Sequence, residues 1–226
     1  VDDYAQQEVD FVLNIGGINI EYDSPLGKNL SLQHLRNSFD AVFLGMGLND
    51  VNALNIEGED LAGVEDAVSY IAKLRQTSDL AELPVGRRVV VIGAGMTAID
   101  IAVQSQKLGA EEVYIVYRRD RDAMGASEHE QELALQHGVR FIFNAQPKLI
   151  NGRNDGVRNM EFWKTTKDEN GKLQATSETI TIDCDVVFKA IGQKFNPQLI
   201  SNGEAFDLTL DDRGRIKVDE AFKTSL

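Results

Sequence analysis

Residues 89–98 read Val89-Val90-Val91-Ile92-Gly93-Ala94-Gly95-Met96-Thr97-Ala98, and this stretch decides which fold the sequence predicts. Four consecutive β-branched residues are typical of a strand buried on both faces. The two glycines follow at the spacing of a tight turn from a strand into a helix. Gly93 allows the turn, Gly95 lets the backbone approach a pyrophosphate, and Ala98 allows the helix to pack closely on the strand. The stretch therefore predicts a Rossmann-type dinucleotide-binding turn.

Strand and helix patterns alternate from residue 88 onward. Strands are predicted over 88–92, 113–117, 139–143 and 185–190, and helices over 97–108 and 127–136. Between residues 148 and 182, the turn signals Asn151-Gly152, Asp155-Gly156 and 168–171 separate three strand-like pieces, which predicts an antiparallel meander. The expected fold class is α/β, with a Rossmann-like parallel sheet in three layers and an antiparallel β-meander.

Further elements are predicted on both sides of this unit. Helices are predicted over 3–13, 31–37 and 63–75, strands over 18–22 and 39–44, and a hairpin over 208–218. The run 39–44 is compact and apolar, which is typical of a buried parallel strand.

The end of the second predicted strand bears on the choice of dinucleotide. A Rossmann site commonly carries an acid near this point for NAD, or an arginine for the 2'-phosphate of NADP. Here the strand ends in Val116-Tyr117-Arg118-Arg119. A guanidinium offers paired donors and a fixed positive charge to a phosphate, so we expect NADPH, with NADH as the alternative. A second interpretation is that both arginines belong to a solvated loop with local ion pairs to Asp120 or Asp122.

Composition excludes several classes of protein. The 36 acidic and 23 basic residues give a net charge of -13, which repels nucleic acid and anionic lipid. No apolar run has the length of a membrane span, and residues 1–3 have no basic signal region, so we expect no membrane and a cytoplasmic location. The single Cys184 cannot form a disulfide within the chain, and the three histidines lack metal-ligand spacing, so no metal site is predicted.

Three motifs together resemble one protein family. They are Gly93-Ala94-Gly95-Met96-Thr97-Ala98-Ile99-Asp100, Val116-Tyr117-Arg118-Arg119 and Lys189-Ala190-Ile191-Gly192-Gln193. The chain resembles the small subunit of glutamate synthase and the N-terminal module, or stand-alone NAD(P)-dependent subunit, of dihydropyrimidine dehydrogenase. Both belong to the pyridine nucleotide-disulfide oxidoreductase superfamily. Residues 39–48 and 56–60 also look like segments of this family's flavin domain, so the resemblance covers most of the chain.

The resemblance implies a flavin-dependent oxidoreductase in which an NADPH domain is inserted into an FAD domain. It assigns 1–80 to a partial FAD-domain segment and connecting helix, 81–192 to the NADPH-binding Rossmann domain with the meander, and 193–226 to the returning FAD-domain segment. In such proteins hydride passes from NADPH to FAD, and electrons leave for an iron–sulfur or catalytic partner subunit or domain. The family's FAD fingerprint and cysteine clusters lie outside these residues, so we expect FAD in the full-length protein and an inactive fragment here.

Carried over by residue, the resemblance also implies a set of cofactor contacts. The family's pyrophosphate contacts correspond to Met96, Thr97, Ala98 and Ile99, beside Gly93, Ala94 and Gly95. Its 2'-phosphate clamp corresponds to Arg118 and Arg119. A backbone ledge near the nicotinamide corresponds to Ala190, Ile191 and Gly192. The sequence departs from the family at Met96, where Asn or Asp is common, and at Gly125, where many members have Pro. No catalytic residue is expected, because the placement of two cofactor rings governs hydride transfer.

Two other functions are compatible with the sequence. A flavin-independent NADPH dehydrogenase would need a proton donor beside the nicotinamide, such as a tyrosine or histidine. Tyr114 and Tyr117 are predicted on a core strand instead. A non-catalytic NADPH-binding module would show the same motifs. The final electron acceptor stays open between glutamate synthesis and pyrimidine reduction.

Overall fold

The fold is taken from a computed structural model, which describes residues 4–48, 50–154, 156–199, 201 and 208–226. The chain divides into two compact units. The larger unit is Val51–Gln193, and the smaller unit combines Val1–Asp50 with Lys194–Leu226. We expected the first boundary at residue 80, whereas the larger unit begins 30 residues earlier, at Val51, and includes residues 64–66, which pair with a strand of its sheet. Asp155, part of a predicted turn, lies outside the described residues.

Among its described residues, the smaller unit contains two α-helices, α1 (Tyr4–Asn14) and α2 (Leu32–Ser38). Ser31 caps α2 because its side chain accepts a hydrogen bond from the His34 N–H. The hairpin predicted over 208–218 is confirmed by an antiparallel bridge between Leu210 and Ile216.

The strands predicted over 18–22 and 39–44 are wrong. Both segments are irregular, and Phe39 and Phe43 are 61% and 94% exposed. An apolar run becomes a strand only when another strand pairs with its backbone. Within the described part of the chain, neither segment has such a partner.

A five-stranded parallel sheet forms the centre of the larger unit, with the strand order β2-β9-β3-β4-β5. The strands are β2 (Val64–Asp66), β3 (Arg88–Ile92), β4 (Glu112–Val116), β5 (Arg140–Ile142) and β9 (Val186–Lys189). Val90 of the central strand lies opposite Tyr114 on one side and Val187 on the other. The helix predicted over 63–75 is wrong in its first turn, because those residues form β2 and pair with β9.

Helices cover one face of this sheet. They are α3 (Ala67–Gln76), α4 (Met96–Lys107) and α5 (Glu128–Gln136). Val89 and Val91 point into the core that these helices share, where they pack with Ile101 and Ile115. α5 begins with a capping box in which Ser127 and Glu130 each bond the other's backbone. Among the described helices, none combines the length and the apolar composition needed to cross a membrane.

An antiparallel meander covers the other face, formed by β6 (Ala145–Arg153), β7 (Gly156–Lys167) and β8 (Leu173–Asp183). Val90 and Val187 alternate with the residues that face the helices, and they pack here with Met160 and Phe162. The three layers are therefore helices, parallel sheet and meander, and the predicted fold class is confirmed. Two-residue strands, β1 (Asp50–Val51) and β10 (Gln193–Lys194), lie where the chain passes between the units.

Candidate nucleotide-binding site

A cavity of about 520 Å³ opens at the carboxyl ends of β3, β4 and β9. Ile92, Val116 and Ala190, which stand at or just after these ends, line it. Ligands of open α/β sheets bind in the crevice outside the carboxyl ends of the strands. The cavity therefore lies where a parallel sheet of this kind holds its ligand.

The turn after β3 is tight and closely packed. The Gly93 N–H donates to the Val116 carbonyl oxygen over 3.1 Å, which ties the turn to β4. Gly93 has a φ of +140°, and a Cβ added there would overlap the carbonyl oxygen of Ala190 and lie 2.9 Å from its carbonyl carbon. Position 93 therefore requires glycine for the backbone conformation and for the approach of residue 190.

The start of α4 leaves polar backbone groups open. Gly95 precedes α4 in an extended conformation, and a Cβ added there would meet no atom within 4 Å. In the described part of the chain, the N–H groups of Gly95, Met96 and Thr97 donate no hydrogen bond. The N–H groups of Ala98 and Ile99 both donate to the Gly95 carbonyl oxygen, at 3.0 and 3.3 Å. Free N–H groups and the helix dipole make this end of α4 able to bind an anion.

Arg118 and Arg119 follow β4, and both are exposed. The Arg118 carbonyl oxygen accepts a hydrogen bond from the Thr165 hydroxyl at 2.7 Å, and the Arg119 carbonyl oxygen accepts one from the Asn144 N–H at 3.1 Å. These bonds fix the backbone of both residues. Neither guanidinium forms an ion pair or hydrogen bond with any described residue. Asp120, a partner that the solvated-loop interpretation would need, pairs with Lys167 at 2.7 Å. Two guanidiniums are therefore free to meet a ligand.

The end of β9 forms the opposite side of the cavity. The Ala190 N–H donates to the Ile92 carbonyl oxygen at 2.8 Å, and Gly192 has a φ of +89°. Asn52 holds this segment in two ways, because its N–H donates to the Gly192 oxygen at 3.2 Å and its side-chain amide donates to the Ile191 oxygen at 3.2 Å. We call residues 190–192 the ledge and residues 52–55 the adjoining loop.

The structure divides the predicted site residues into two groups. Those that line the cavity are Gly93, Ala94, Gly95, Arg118, Ala190 and Ile191. Those that do not are Met96, Thr97, Ala98, Ile99, Arg119 and Gly192. Ala98 and Ile99 are buried in the core between α4 and the sheet, and their N–H groups are occupied. Any pyrophosphate contact from this helix therefore falls to the N–H groups of Met96 and Thr97.

Sequence reasoning missed several residues of the cavity. Asn52, Leu54 and Gln146 line it, and each lies far in sequence from the glycine turn. Tyr117 was placed on a core strand but also lines the cavity, because β4 ends one residue earlier than predicted. Its hydroxyl donates to the Ala123 carbonyl oxygen at 2.9 Å. The only sequence signal for Tyr117 was its place in the motif Val116-Tyr117-Arg118-Arg119, next to the predicted phosphate-binding arginines.

Sequence comparison identifies relatives of the chain. It is 32% identical over 211 residues to the NADPH-Fe(3+) oxidoreductase subunit beta of Geobacter sulfurreducens, covering 90% of this chain and 31% of the relative. It is 34% identical over 229 residues to the glutamate synthase [NADPH] small chain of Escherichia coli, covering 92% of this chain and 48% of the relative. The chain thus spans 31% and 48% of the length of these two relatives. The predicted resemblance to the glutamate synthase small subunit is confirmed.

Solved structures share the fold. FprA of Mycobacterium tuberculosis, solved in complex with NADPH, matches 84% of this chain and 58% of its own, with a TM-score of 0.63 and 22% identity. Thioredoxin reductase of T. acidophilum matches 80% of this chain and 52% of its own, with a TM-score of 0.56 and 20% identity.

The profile of one family, described as pyridine nucleotide-disulphide oxidoreductase, matches residues 2–226. That match extends over almost all of the sequence and through both units. Together with the parallel sheet and the glycine turn, it shows that the chain belongs to the pyridine nucleotide-disulphide oxidoreductase family.

Proposed function

We propose that the cavity binds NADPH and that the chain is the NAD(P)H-binding part of a flavin-dependent oxidoreductase. The observation that carries this proposal is the unpaired guanidinium of Arg118, which lines the same cavity as Gly95 at the start of α4, where N–H groups are open. The unpaired guanidinium of Arg119 follows it directly in the chain. A dinucleotide with a 2'-phosphate presents anionic groups to both features, since it has a pyrophosphate and a ribose phosphate.

Each part of the cavity then has a role in binding. The N–H groups of Met96 and Thr97 bind the pyrophosphate, and the absence of a Cβ at Gly95 leaves room for it. Arg118, with Arg119 beside it, binds the 2'-phosphate. The ledge and the adjoining loop hold the nicotinamide end. When bound, NADPH supplies a hydride and FAD accepts it.

The polar side chains that line the cavity support a relay between cofactors over direct reduction of a carbonyl. They are Asn52, Tyr117, Arg118 and Gln146. Direct reduction needs a proton donor at the nicotinamide, and the Tyr117 hydroxyl already donates to a backbone oxygen. We therefore assign the lining residues to binding and orientation, with no general acid or base.

We further propose that FAD is bound by the full-length protein and that electrons pass to a partner subunit or domain. Among the described residues, one glycine-rich turn leads directly from a strand into a helix, and we assign that turn to NADPH. The relatives named above are a subunit beta and a small chain, which supports a partner. The acceptor, whether glutamate synthase-like or dihydropyrimidine dehydrogenase-like, is open.

Calorimetric titration of the chain with NADPH and with NADH tests the dinucleotide assignment. Arg118→Ala should weaken NADPH binding by about 10- to 100-fold, because a hydrogen bond to a charged group contributes about 1.5–3 kcal/mol. NADH binding should change little, since NADH has no 2'-phosphate.

Arg153→Ala is the control, because Arg153 is exposed at the end of β6 and lies outside the cavity lining. It removes the same charge and should leave both affinities unchanged. Failure of the wild-type chain to bind NADPH contradicts the function. Equal losses for both coenzymes in Arg118→Ala contradict the 2'-phosphate role.

A further inference from the structure

A half-enclosed cluster of three charged residues lies outside the cavity lining. The Lys189 Nζ is 3.0 Å from the Glu59 Oε1, and both side chains are only 13% exposed. The same Nζ is 3.2 Å from the Asp66 Oδ1, which suits an ion pair although the two groups are not aligned as a hydrogen bond. Neither Glu59 nor Lys189 lines the cavity, so direct contact with a bound dinucleotide does not explain the cluster.

Glu59 holds the adjoining loop through its carboxylate. The Leu54 N–H donates to Oε1 at 2.9 Å, and the Asn55 N–H donates to Oε2 at 2.8 Å. Asn55 has a φ of +55°, a left-handed conformation that is uncommon for residues other than glycine. Leu54 lines the cavity, so the carboxylate fixes one of its walls from behind.

Lys189 is directly connected to the neighbouring wall, the ledge, through the chain. It is the last residue of β9, and Ala190 and Ile191, which line the cavity, follow it directly. Its ammonium therefore connects the carboxylate behind the loop to the strand that leads into the ledge. Asn52 makes a second connection between the same two segments through residues 191 and 192.

Both members of the pair stay ionised over the neutral range. Burial alone would raise the pKa of Glu59, but hydrogen bonds from Leu54, Lys189 and Asn55 hold it below its ordinary value. Burial alone would lower the pKa of Lys189, but the hydrogen bond to Glu59 and the ion pair with Asp66 hold it above its ordinary value. The contact is therefore a stable ion pair and does not titrate near neutral pH.

We propose that Glu59 and Lys189 are positioning residues that set the spacing between the adjoining loop and the ledge, and so orient the nicotinamide end of the dinucleotide. This inference rests on the proposed function, which assigns that end to the ledge. The adenosine end is held elsewhere, by the start of α4 and by Arg118. Loss of the pair should therefore affect one end of the ligand and leave the other unchanged.

Two ligands distinguish binding of the nicotinamide end of the dinucleotide from binding of its adenosine end. NADPH carries the nicotinamide, and 2'-phospho-ADP-ribose is the same molecule without that ring. Glu59→Gln and Lys189→Met should lower the affinity for NADPH by about tenfold or more, which corresponds to a loss of about 1.4 kcal/mol or more at the nicotinamide end. The affinity for 2'-phospho-ADP-ribose should equal that of the wild type. Calorimetric titration of the chain measures both.

Lys164→Met is the matched control. Lys164 pairs with Glu178 at 2.7 Å on the meander, away from the loop and the ledge, so its loss should change neither affinity. Urea unfolding of each variant reports the stability that the substitution removes. A merely structural pair would lower stability and leave the ratio of the two affinities at the wild-type value.

Lys189→Met leaves Glu59 and Asp66 without their shared cation and can impair folding. The double variant Lys189→Met with Asp66→Asn removes one of these charges, and the same change in the affinity ratio is expected. A wild-type ratio in this double variant and in Glu59→Gln overturns the inference. If the wild-type chain binds 2'-phospho-ADP-ribose but not NADPH, or neither ligand, the proposed function itself fails and the inference fails with it.

Discussion

Gly93→Ala and Gly95→Ala should impair different properties of the protein, although the two glycines belong to one motif. Gly93 has a φ of +140° and Ala190 leaves no room for a Cβ there, whereas Gly95 has a φ of -96° and a Cβ there would meet no atom within 4 Å. We therefore expect Gly93→Ala to lower stability. We expect Gly95→Ala to lower NADPH affinity at little cost in stability.

The structure gives the size of each effect. A residue other than glycine held in the conformation of Gly93 costs about 1–3 kcal/mol. Displacement of Ala190 would also break its 2.8 Å hydrogen bond to Ile92, a net loss of about 0.5–1.5 kcal/mol. Together these give about 1.5–4.5 kcal/mol. Gly95→Ala should cost about 1 kcal/mol or less, because alanine is only a poorer residue at a helix N-cap.

The binding effect follows from the same geometry. A methyl group at position 95 would stand beside the open N–H groups of Met96 and Thr97. Loss of one charge-assisted hydrogen bond to the pyrophosphate costs about 1.5–3 kcal/mol, or about tenfold or more in NADPH affinity.

Urea unfolding followed by far-ultraviolet circular dichroism measures stability, and calorimetric titration measures affinity. The reasoning is refuted if Gly95→Ala loses as much stability as Gly93→Ala. It is also refuted if Gly95→Ala binds NADPH as tightly as the wild type.

Two further predictions concern the titratable groups of Cys184 and Glu59. Burial, with a smaller effect of the Asp185 charge, raises the pKa of Cys184 to about 12, so the thiol stays protonated at neutral pH. The folded chain should not react with a thiol reagent such as dithionitrobenzoate until urea unfolds it, and a rapid reaction would show that the site is accessible. The pKa of Glu59 lies below its ordinary value of 4.5 in the folded state, so its bonds stabilise the fold above that pH and are lost as the pH falls. The stability advantage of the wild type over Glu59→Gln should shrink between about pH 6 and pH 3, and a constant difference would contradict the reasoning.

Local pattern predicted most of the larger unit. The run of β-branched residues before Gly93 is typical of a buried strand, and the capping residues Ser127 and Glu130 mark the start of α5 in sequence as they do in space. The turn signals at 168–171 predicted the second hairpin of the meander, where the Gly171 N–H bonds the Asp168 oxygen. These features depend on residues near one another in the chain, so the sequence alone contains them.

Patterns that depend on a distant partner were harder to interpret. Residues 39–44 have the composition of a buried strand, but their backbone finds no strand to pair with in the described structure. Residues 63–75 have a helical apolar spacing, yet residues 64–66 of this stretch pair with β9, more than 120 residues away in sequence. Intrinsic preference is weak beside pairing of this kind.

The sequence by itself determined the glycine turn, its position between a strand and a helix, and the two arginines at the end of the next strand. Those features follow from the backbone freedom of glycine, from the spacing of apolar residues and from the charge of arginine. Only the tertiary structure decided that Ala190 closes on Gly93, that Asn52 and Tyr117 share the cavity, and that Glu59 and Lys189 meet behind it. These residues belong to segments far apart in the chain, and the parallel pairing of β9 with β2 and β3 brings them together.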